Sequence, residues 1–333
     1  MNISIIGGGS WGTTLAQALA DNGHNVLIRD INENFVNKIN DEHLHPFFNS
    51  TIPASIKATL DLSLAVNHSS YIVLCVPTKF MRGVLNEINS LIKDAKLFIN
   101  VSKGIEPETS FRVSQIVEDE ISKEKLKGYV CLSGPSHAEE LIYRKLTSLV
   151  AASNNNEFAE EVQKLFSNNK YLRVYTTDDV VGVETGGSIK NAIAIVSGIL
   201  TGMGLGENAR AFLISRGMKE MVMIVQVLGG SMETVYGLSG LGDLIVTASS
   251  MNSRNFNCGL KIGQGFSIES AVGSINQSVE GIRAIIAAHE IGIKHNLDLP
   301  IIDTAYEVVT NKISVNEALS SILSRRLKDE KFW

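Results

Sequence analysis

The fold is decided by the stretch Asn2-Ile3-Ser4-Ile5-Ile6-Gly7-Gly8-Gly9-Ser10-Trp11-Gly12, which runs into a segment carrying Leu15, Ala16 and Leu19 on one helical face. Gly7, Gly9 and Gly12 match G-x-G-x-x-G, directly after an apolar run of strand length and directly before a helix. The first glycine permits a tight turn, the second lets backbone approach a pyrophosphate, and the third allows the helix to pack closely. N–H groups at the helix start then hold the anion. A glycine-rich turn that binds nothing is the bland alternative. The register of strand, glycines, helix and second strand argues against it.

Outward from this stretch, short β-rich runs alternate with helical patterns. Asn2 to Ile6, Val26 to Arg29, Tyr71 to Val76, Leu97 to Val101, Tyr129 to Leu132 and Ser148 to Ala152 read as strands, with a last one at Leu172 to Tyr175. Trp11 to Asn22, Phe80 to Leu91 and Thr109 to Glu120 read as the helices between them. This alternation builds βαβ units and a parallel sheet. Runs such as Tyr71-Ile72-Val73-Leu74-Cys75-Val76 are apolar throughout, as strands are when helices cover both faces. From about Asp178 the period becomes helical, clearest over Glu207 to Leu228, then Gly281 to His295 and Ile302 to Thr310. The expected class is α/β. A Rossmann-type parallel-sheet domain spans residues 1–177, and an all-helical substrate and catalytic domain spans 178–333.

Composition agrees with two folded domains. At 333 residues the chain exceeds what one hydrophobic core usually fills. Its 44% hydrophobic and 20% charged residues, with six prolines, leave no low-complexity stretch. A formal charge of −5 without a basic block gives little attraction to nucleic acid or anionic lipid, so a small-molecule substrate is the expected partner. Cys75, Cys131 and Cys258 are odd in number, far apart and without C-x-x-C spacing, as expected of reduced thiols in the cytoplasm. The first residues lack the pattern of a signal peptide, and the longest apolar stretch, Ala192 to Leu205, is too short to cross a bilayer. It reads as a buried helix, and no membrane insertion is expected.

At the end of the second strand stands Asp30, at the spacing where an acidic residue accepts hydrogen bonds from the adenosine ribose. That favours NAD, but Arg29 beside it could pair with a 2′-phosphate, so both NAD and NADP stay open. Three clusters gather glycine and charge at the ends of apolar segments: Ser102-Lys103-Gly104, Ser133-Gly134-Pro135-Ser136-His137-Ala138 and Gly186-Gly187-Ser188-Ile189-Lys190-Asn191. Lys190 is the most informative, because it lies in an apolar, small-residue helix where a lysine is costly to bury unless paired or functional. Snorkelling to the surface is the alternative. Further on come Gly237-Leu238-Ser239-Gly240-Leu241-Gly242-Asp243 with Thr247, then Ser253-Arg254-Asn255, then Val279-Glu280-Gly281.

Taken in order from residue 7 to residue 281, these segments resemble the bacterial-type NAD(P)-dependent sn-glycerol-3-phosphate dehydrogenases, over essentially the whole chain. The resemblance implies reversible hydride transfer between the nicotinamide and C2 of glycerol 3-phosphate, giving dihydroxyacetone phosphate. Lys190 becomes the catalytic acid/base, since reducing a ketone places negative charge on an oxygen that must receive a proton. Asn191 and Asp243 orient its ammonium, with Thr247 close by, and Lys103 is a cation at the same substrate. Ser253, Arg254 and Asn255 hold the phosphate at a helix start, and Gly134 and Ser136 add substrate contacts. On the cofactor side the resemblance adds Ser10, Trp11, Lys103, Ala138, Arg254, Val279 and Glu280 to Gly7, Gly9, Gly12, Arg29 and Asp30. It also implies a cytoplasmic enzyme that supplies glycerol 3-phosphate for phospholipid synthesis, with a homodimer as the expected assembly. Two departures stand out. Ser188 replaces an apolar residue, and Arg29-Asp30-Ile31-Asn32 lacks the basic or histidine residue two positions beyond Arg29.

Other features read as structural. His43 and His45 lie in a loop without ligand spacing, so no metal is expected. His137 beside Glu139 and Glu140 reads as a helix start, Met218, Met221 and Met223 as core, and Gly198, Gly202 and Gly206 as close helix packing. β-Hydroxyacid dehydrogenases share the plan, but their catalytic lysine and asparagine lie a helical turn apart, unlike Lys190-Asn191. A sensor that binds NAD(H) without turnover is the non-enzymatic alternative, and the retention of Lys103, Lys190, Asp243 and Arg254 argues against it.

Overall fold

The computed structural model describes residues 1–107, 109–275, 278–327 and 329–330. Two compact units make up the chain: Met1–Lys103 with Phe111–Glu184, and Gly104–Ser110 with the chain from Thr185 onward.

The first unit is built on eight strands, β1 (Asn2–Ile6), β2 (Asn25–Arg29), β3 (Lys57–Thr59), β4 (Tyr71–Leu74), β5 (Lys96–Asn100), β6 (Leu126–Ser133), β7 (Thr147–Ala152) and β8 (Leu172–Thr177). They lie in the order β3-β2-β1-β4-β5-β6-β7-β8. Side chains alternate between two apolar layers: Ile3 and Ile5 pack with Leu15 and Leu19 on one face, while Ile6, Ile72 and Leu74 pack with Leu85 and Ile88 on the other. The chain leaves β1 toward β2 on one side and returns to β4 on the other, so the order reverses at β1. In open α/β sheets ligands bind just beyond strand ends at such a switch point, and Gly7 follows β1 there.

The sheet is mostly parallel, as expected from sequence, with two details that the sequence pattern does not show. Every pair is parallel except β6 with β7, which is antiparallel, Leu132 facing Ala151. The connection between them carries only the single turn Ala138–Leu141, too little helix for the usual parallel crossover. The second detail is β3, whose Lys57-Ala58-Thr59 is too short and too polar to show as a strand pattern. The helix expected from Thr109 starts at Val113. Ser110, at φ 59°, breaks the helical path, and Gln115 Oε1 accepts the Arg112 N–H at 3.0 Å.

The second unit is helical. Its centre is the helix Val180–Gly202, buried on nearly every side, as an element apolar all round must be. Gly198 and Gly202 meet the helix Arg254–Gly263 backbone to backbone: a Cβ on Gly198 would stand 2.0 Å from the Phe256 carbonyl oxygen, and one on Gly202 2.2 Å from that of Leu260. Gly259 and Gly263 answer from the other helix, at 1.9 and 2.2 Å from the oxygens of Ile195 and Ile199. Gly206 does not share this packing. It caps the helix Glu207–Val227 and faces open space. Met218 and Met221 are buried in the core and Met223 packs against it. Glu220, also buried, accepts the Ile301 and Ile302 N–H groups at 2.7 and 3.0 Å, capping the helix Pro300–Val309. Burial pushes its carboxyl up to about 8, against the opposing pull of those two N–H groups. Among the described residues no helix is long and apolar enough to cross a membrane.

Candidate active site

In the first unit the glycine loop is built as its sequence demands. Gly7 sits at φ +111°, where a Cβ would press to 2.5 Å from the Cys75 carbonyl oxygen, and its N–H bonds Arg29 O at 2.8 Å. A Cβ on Gly12 would stand 1.9 Å from Gly7 O, so the helix Ser10–Asp21 starts in backbone contact with the turn. Gly9, which caps that helix, would place a Cβ in open space. A tight turn, a close helix and an unobstructed N–H edge together fit a bound pyrophosphate. Ser10 and Trp11 open the helix, half-buried, with Trp11 packed on the apolar layer beneath.

Asp30 lies against this loop. Its Oδ2 accepts the Gly8 N–H at 2.6 Å and its Oδ1 accepts Asn32 N–H at 2.9 Å. His45, which sequence reading set aside, supports the helix start from below. Its Nδ1 accepts N–H from Phe47 and Phe48 at 3.1 and 3.2 Å, which leaves Nε2 as the donor to Ser10 O at 3.0 Å. Burial pulls the imidazole down to about 4.

Lys103 follows β5. Its ammonium donates to Gly134 O at 3.3 Å, and the Ser136 hydroxyl donates to the same oxygen at 3.1 Å. Gly134, at φ +143°, has room for a Cβ only 3.0 Å from Ser148 O, and Ala138 is the first residue of the turn after His137. One group here was missed from sequence. Glu184, buried near the start of the Lys190 helix, bonds Arg112 at 3.0 Å, the Ser114 N–H at 2.9 Å and hydroxyl at 2.6 Å, and the Tyr129 hydroxyl at 2.5 Å. Burial first, and then this carboxylate, hold the Tyr129 phenol well above its usual range. Its only sequence signal is a lone carboxylate inside an apolar helix.

In the second unit the side chains converge. Lys190 is 4% exposed, and its ammonium is paired inside the bundle and does not snorkel to the surface. Its ammonium donates to Asp243 Oδ1 and to Thr247 Oγ1, the latter at 2.6 Å. The Thr247 hydroxyl in turn donates a hydrogen bond to the Asp243 backbone oxygen at 2.6 Å. Asp243 opens the helix Asp243–Ala248, straight after the π-helical turn Leu238–Gly242. A Cβ on Gly240 would stand 2.0 Å from Val235 O, so this tight turn sets where Asp243 points. Asn191 Oδ1 accepts from Asn255 Nδ2 at 2.9 Å, and Asn255 Oδ1 accepts the Gly281 N–H at 2.9 Å. Ser253 caps the helix Arg254–Gly263 through its hydroxyl, putting Arg254 first and Asn255 second in that helix. Val279 packs on the core and Glu280 caps the helix Gly281–His295. Residues scattered over some ninety positions thus meet in two hydrogen-bonded sets, Lys190 with Asp243 and Thr247, and the adjacent Asn191 with Asn255 and Gly281, while Arg254 at the helix start is exposed.

Such a cluster suits proton transfer: a buried ammonium with fixed partners, near a helix start able to receive an anion. Comparisons with known proteins agree. The model for the N-terminus of NAD-dependent glycerol-3-phosphate dehydrogenase matches residues 2–159, and that for its C-terminus matches residues 179–320. The chain is 58% identical over 330 residues to a glycerol-3-phosphate dehydrogenase, NAD(P)+, of Acholeplasma laidlawii, covering 99% of each, and 48% identical over 333 residues to that of Phytoplasma mali, covering 100% of each. The crystal structure of glycerol-3-phosphate dehydrogenase from Coxiella burnetii superposes with a TM-score of 0.92 at 33% identity, over 97% of this chain and 99% of that one. With motifs, fold and full-length similarity in agreement, this chain belongs to the NAD(P)-dependent glycerol-3-phosphate dehydrogenase family.

Proposed function

We propose that this protein moves a hydride reversibly between NAD(P) and C2 of sn-glycerol 3-phosphate, with dihydroxyacetone phosphate as the ketone, and that it supplies glycerol 3-phosphate for phospholipid synthesis. The observation that carries the reading is the Lys190 ammonium, enclosed in the helical unit and held by Asp243 and Thr247. The nicotinamide, when bound, supplies or takes the hydride. Lys190 Nζ donates a proton to the C2 oxygen as the ketone is reduced and takes it back in the reverse direction. Asp243 and Thr247 fix that nitrogen, so little reorganisation is left for the reacting step.

Arg254 and the first N–H groups of the helix Arg254–Gly263 receive the substrate phosphate, with Ser253 shaping the helix start. Both ends of the Asn255 side chain are already engaged, by Asn191 and Gly281, so it acts by holding Asn191 and offers the substrate its backbone. Lys103, Gly134 and Ser136 complete the substrate side. Gly7, Gly9, Ser10, Trp11, Gly12, Arg29, Asp30, Lys103, Ala138, Arg254, Val279 and Glu280 serve the dinucleotide. Residues 1–177 form the dinucleotide-binding domain and 178–333 the substrate and catalytic domain, in a cytoplasmic homodimer.

The test is loss of reduced-nicotinamide absorbance with purified protein, dihydroxyacetone phosphate and NADH or NADPH. Rapid oxidation that requires the substrate phosphate is the expected result. A protein that binds either dinucleotide but oxidises neither would overturn the reading.

A further inference from the structure

Arg29 and Asp30 make opposite demands on the adenosine ribose, and the sequence leaves them in balance. The folded first unit separates them. Along β2, Leu27 packs in the apolar layer with Leu62 and Leu74, whereas Ile28 packs in the layer with Leu15 and Leu19 of the glycine-loop helix. Strand alternation sends Arg29 out on the Leu27 face, and Asp30, just past the end of β2, turns its carboxylate to Gly8. Gly8 lies on the Ile28 side, since a Cβ added to it would meet Ile28 Cγ2 at 3.0 Å and Asp30 Cβ and Oδ2 at 3.2 Å.

Asp30 is also fixed in place. Each carboxylate oxygen accepts a backbone N–H, from Gly8 at 2.6 Å and from Asn32 at 2.9 Å, so the carboxylate cannot swing away without stranding donors. A ribose seated beside this loop presents its 2′-substituent to an anion. A 2′-hydroxyl can donate to a carboxylate oxygen that retains lone pairs, whereas a 2′-phosphate meets like charge. Arg29 has no Nε hydrogen-bond partner, but it leaves the strand on the face away from Gly8.

We propose that Asp30 makes this protein selective for the dinucleotide without a 2′-phosphate, NADH over NADPH. The inference rests on the dehydrogenase reading for its cofactor but concerns binding, and binding tests it. Dissociation constants for NADH and NADPH are read from the change in tryptophan and nicotinamide fluorescence, and those for ADP-ribose and its 2′-phosphate by calorimetry. NADH is expected to bind about tenfold or more tightly than NADPH, with ADP-ribose preferred by a similar factor.

Asp30→Asn, which keeps an oxygen acceptor for Gly8 and removes the charge, is expected to bring each pair within about threefold, chiefly by improving the phosphorylated partner. Equal or tighter NADPH binding by the wild type, or a preference for NADPH that vanishes in Arg29→Ala, would overturn the proposal and leave the dehydrogenase reading intact. Selective NADH binding without oxidation by dihydroxyacetone phosphate would do the reverse. Binding of neither dinucleotide would overturn both.

Discussion

The glycine loop and the Lys190 cluster solve the same problem, holding charge in a defined place, by opposite means. The loop does it with backbone drawn from one short stretch. Gly7, Gly9 and Gly12 fall within six consecutive positions, and the donors are N–H groups whose directions follow from strand, turn and helix. The Lys190 cluster does it with side chains brought together from Lys190, Asp243 and Thr247, and from Asn191 and Asn255, pairs separated by 53, 57 and 64 positions. A local backbone device is cheap to specify and hard to tune. A side-chain device assembled over long range can be tuned residue by residue, at the cost of depending on the packing of several helices.

The contrast can be broken most severely at its centre. Lys190→Ala should lower turnover by about a thousandfold or more, in line with the loss of a positioned proton donor, while NADH binding stays near wild type. Because Asp243 would then be buried without its cation, the double variant Lys190→Met, Asp243→Asn is the control for folding. Oxidation of NADH at wild-type rate by Lys190→Ala would remove the lysine from the mechanism.

The second effect is on the scaffold. Gly259→Ala puts a methyl 1.9 Å from Ile195 O, and neither backbone can yield without moving the Lys190 helix. A loss of about 3 kcal/mol in urea unfolding is expected, because overpacking against backbone has no rotamer escape.

On the loop side, His45 should make stability depend on pH. Its folded-state value of about 4 lies below the ordinary 6.5, so the unfolded chain binds the proton more readily. The stabilising contribution is therefore complete above pH 6.5, falls as pH drops from 6.5 toward 4, and changes no further below that. Its full size is about 3 kcal/mol. Chemical denaturation of the wild type and His45→Gln across this range measures it, and parallel curves for the two proteins would show that His45 is not the source.

The smallest expected effect is the most discriminating. Gly9→Ala adds a methyl to open space at an ordinary φ of −68°, so stability should change by less than about 0.5 kcal/mol. NADH binding should nevertheless weaken, because the methyl occupies the edge a pyrophosphate approaches. A large unfolding shift in Gly9→Ala would mean that this glycine serves packing, as Gly259 does.

Legibility followed the same divide. The strands of the first unit were readable because their apolar runs and the helices between them are local patterns, and β3 was missed because Lys57-Ala58-Thr59 has no such pattern. The glycine contacts were half readable: Gly198 and Gly202 announced themselves by spacing, whereas Gly259 and Gly263 sit in the polar-looking segment Arg254–Gly263. Gly206, at the same spacing, proved to be a cap facing open space. Glu184 and Glu220 gave little warning, since a lone carboxylate in a helix is ordinary until the donors around it are known.

By itself the sequence determined the two-part α/β and helical plan, the glycine turn and the family, because these depend on periodicity and on residues close together in the chain. Only the tertiary structure decided that Lys190 is buried against Asp243 and Thr247, that Asn255 is engaged at both ends, and that the Asp30 carboxylate lies against Gly8 while Arg29 leaves β2 on the other face. Each of those depends on which distant segments enclose a side chain and which donors they turn toward it, and a one-dimensional pattern does not carry that information.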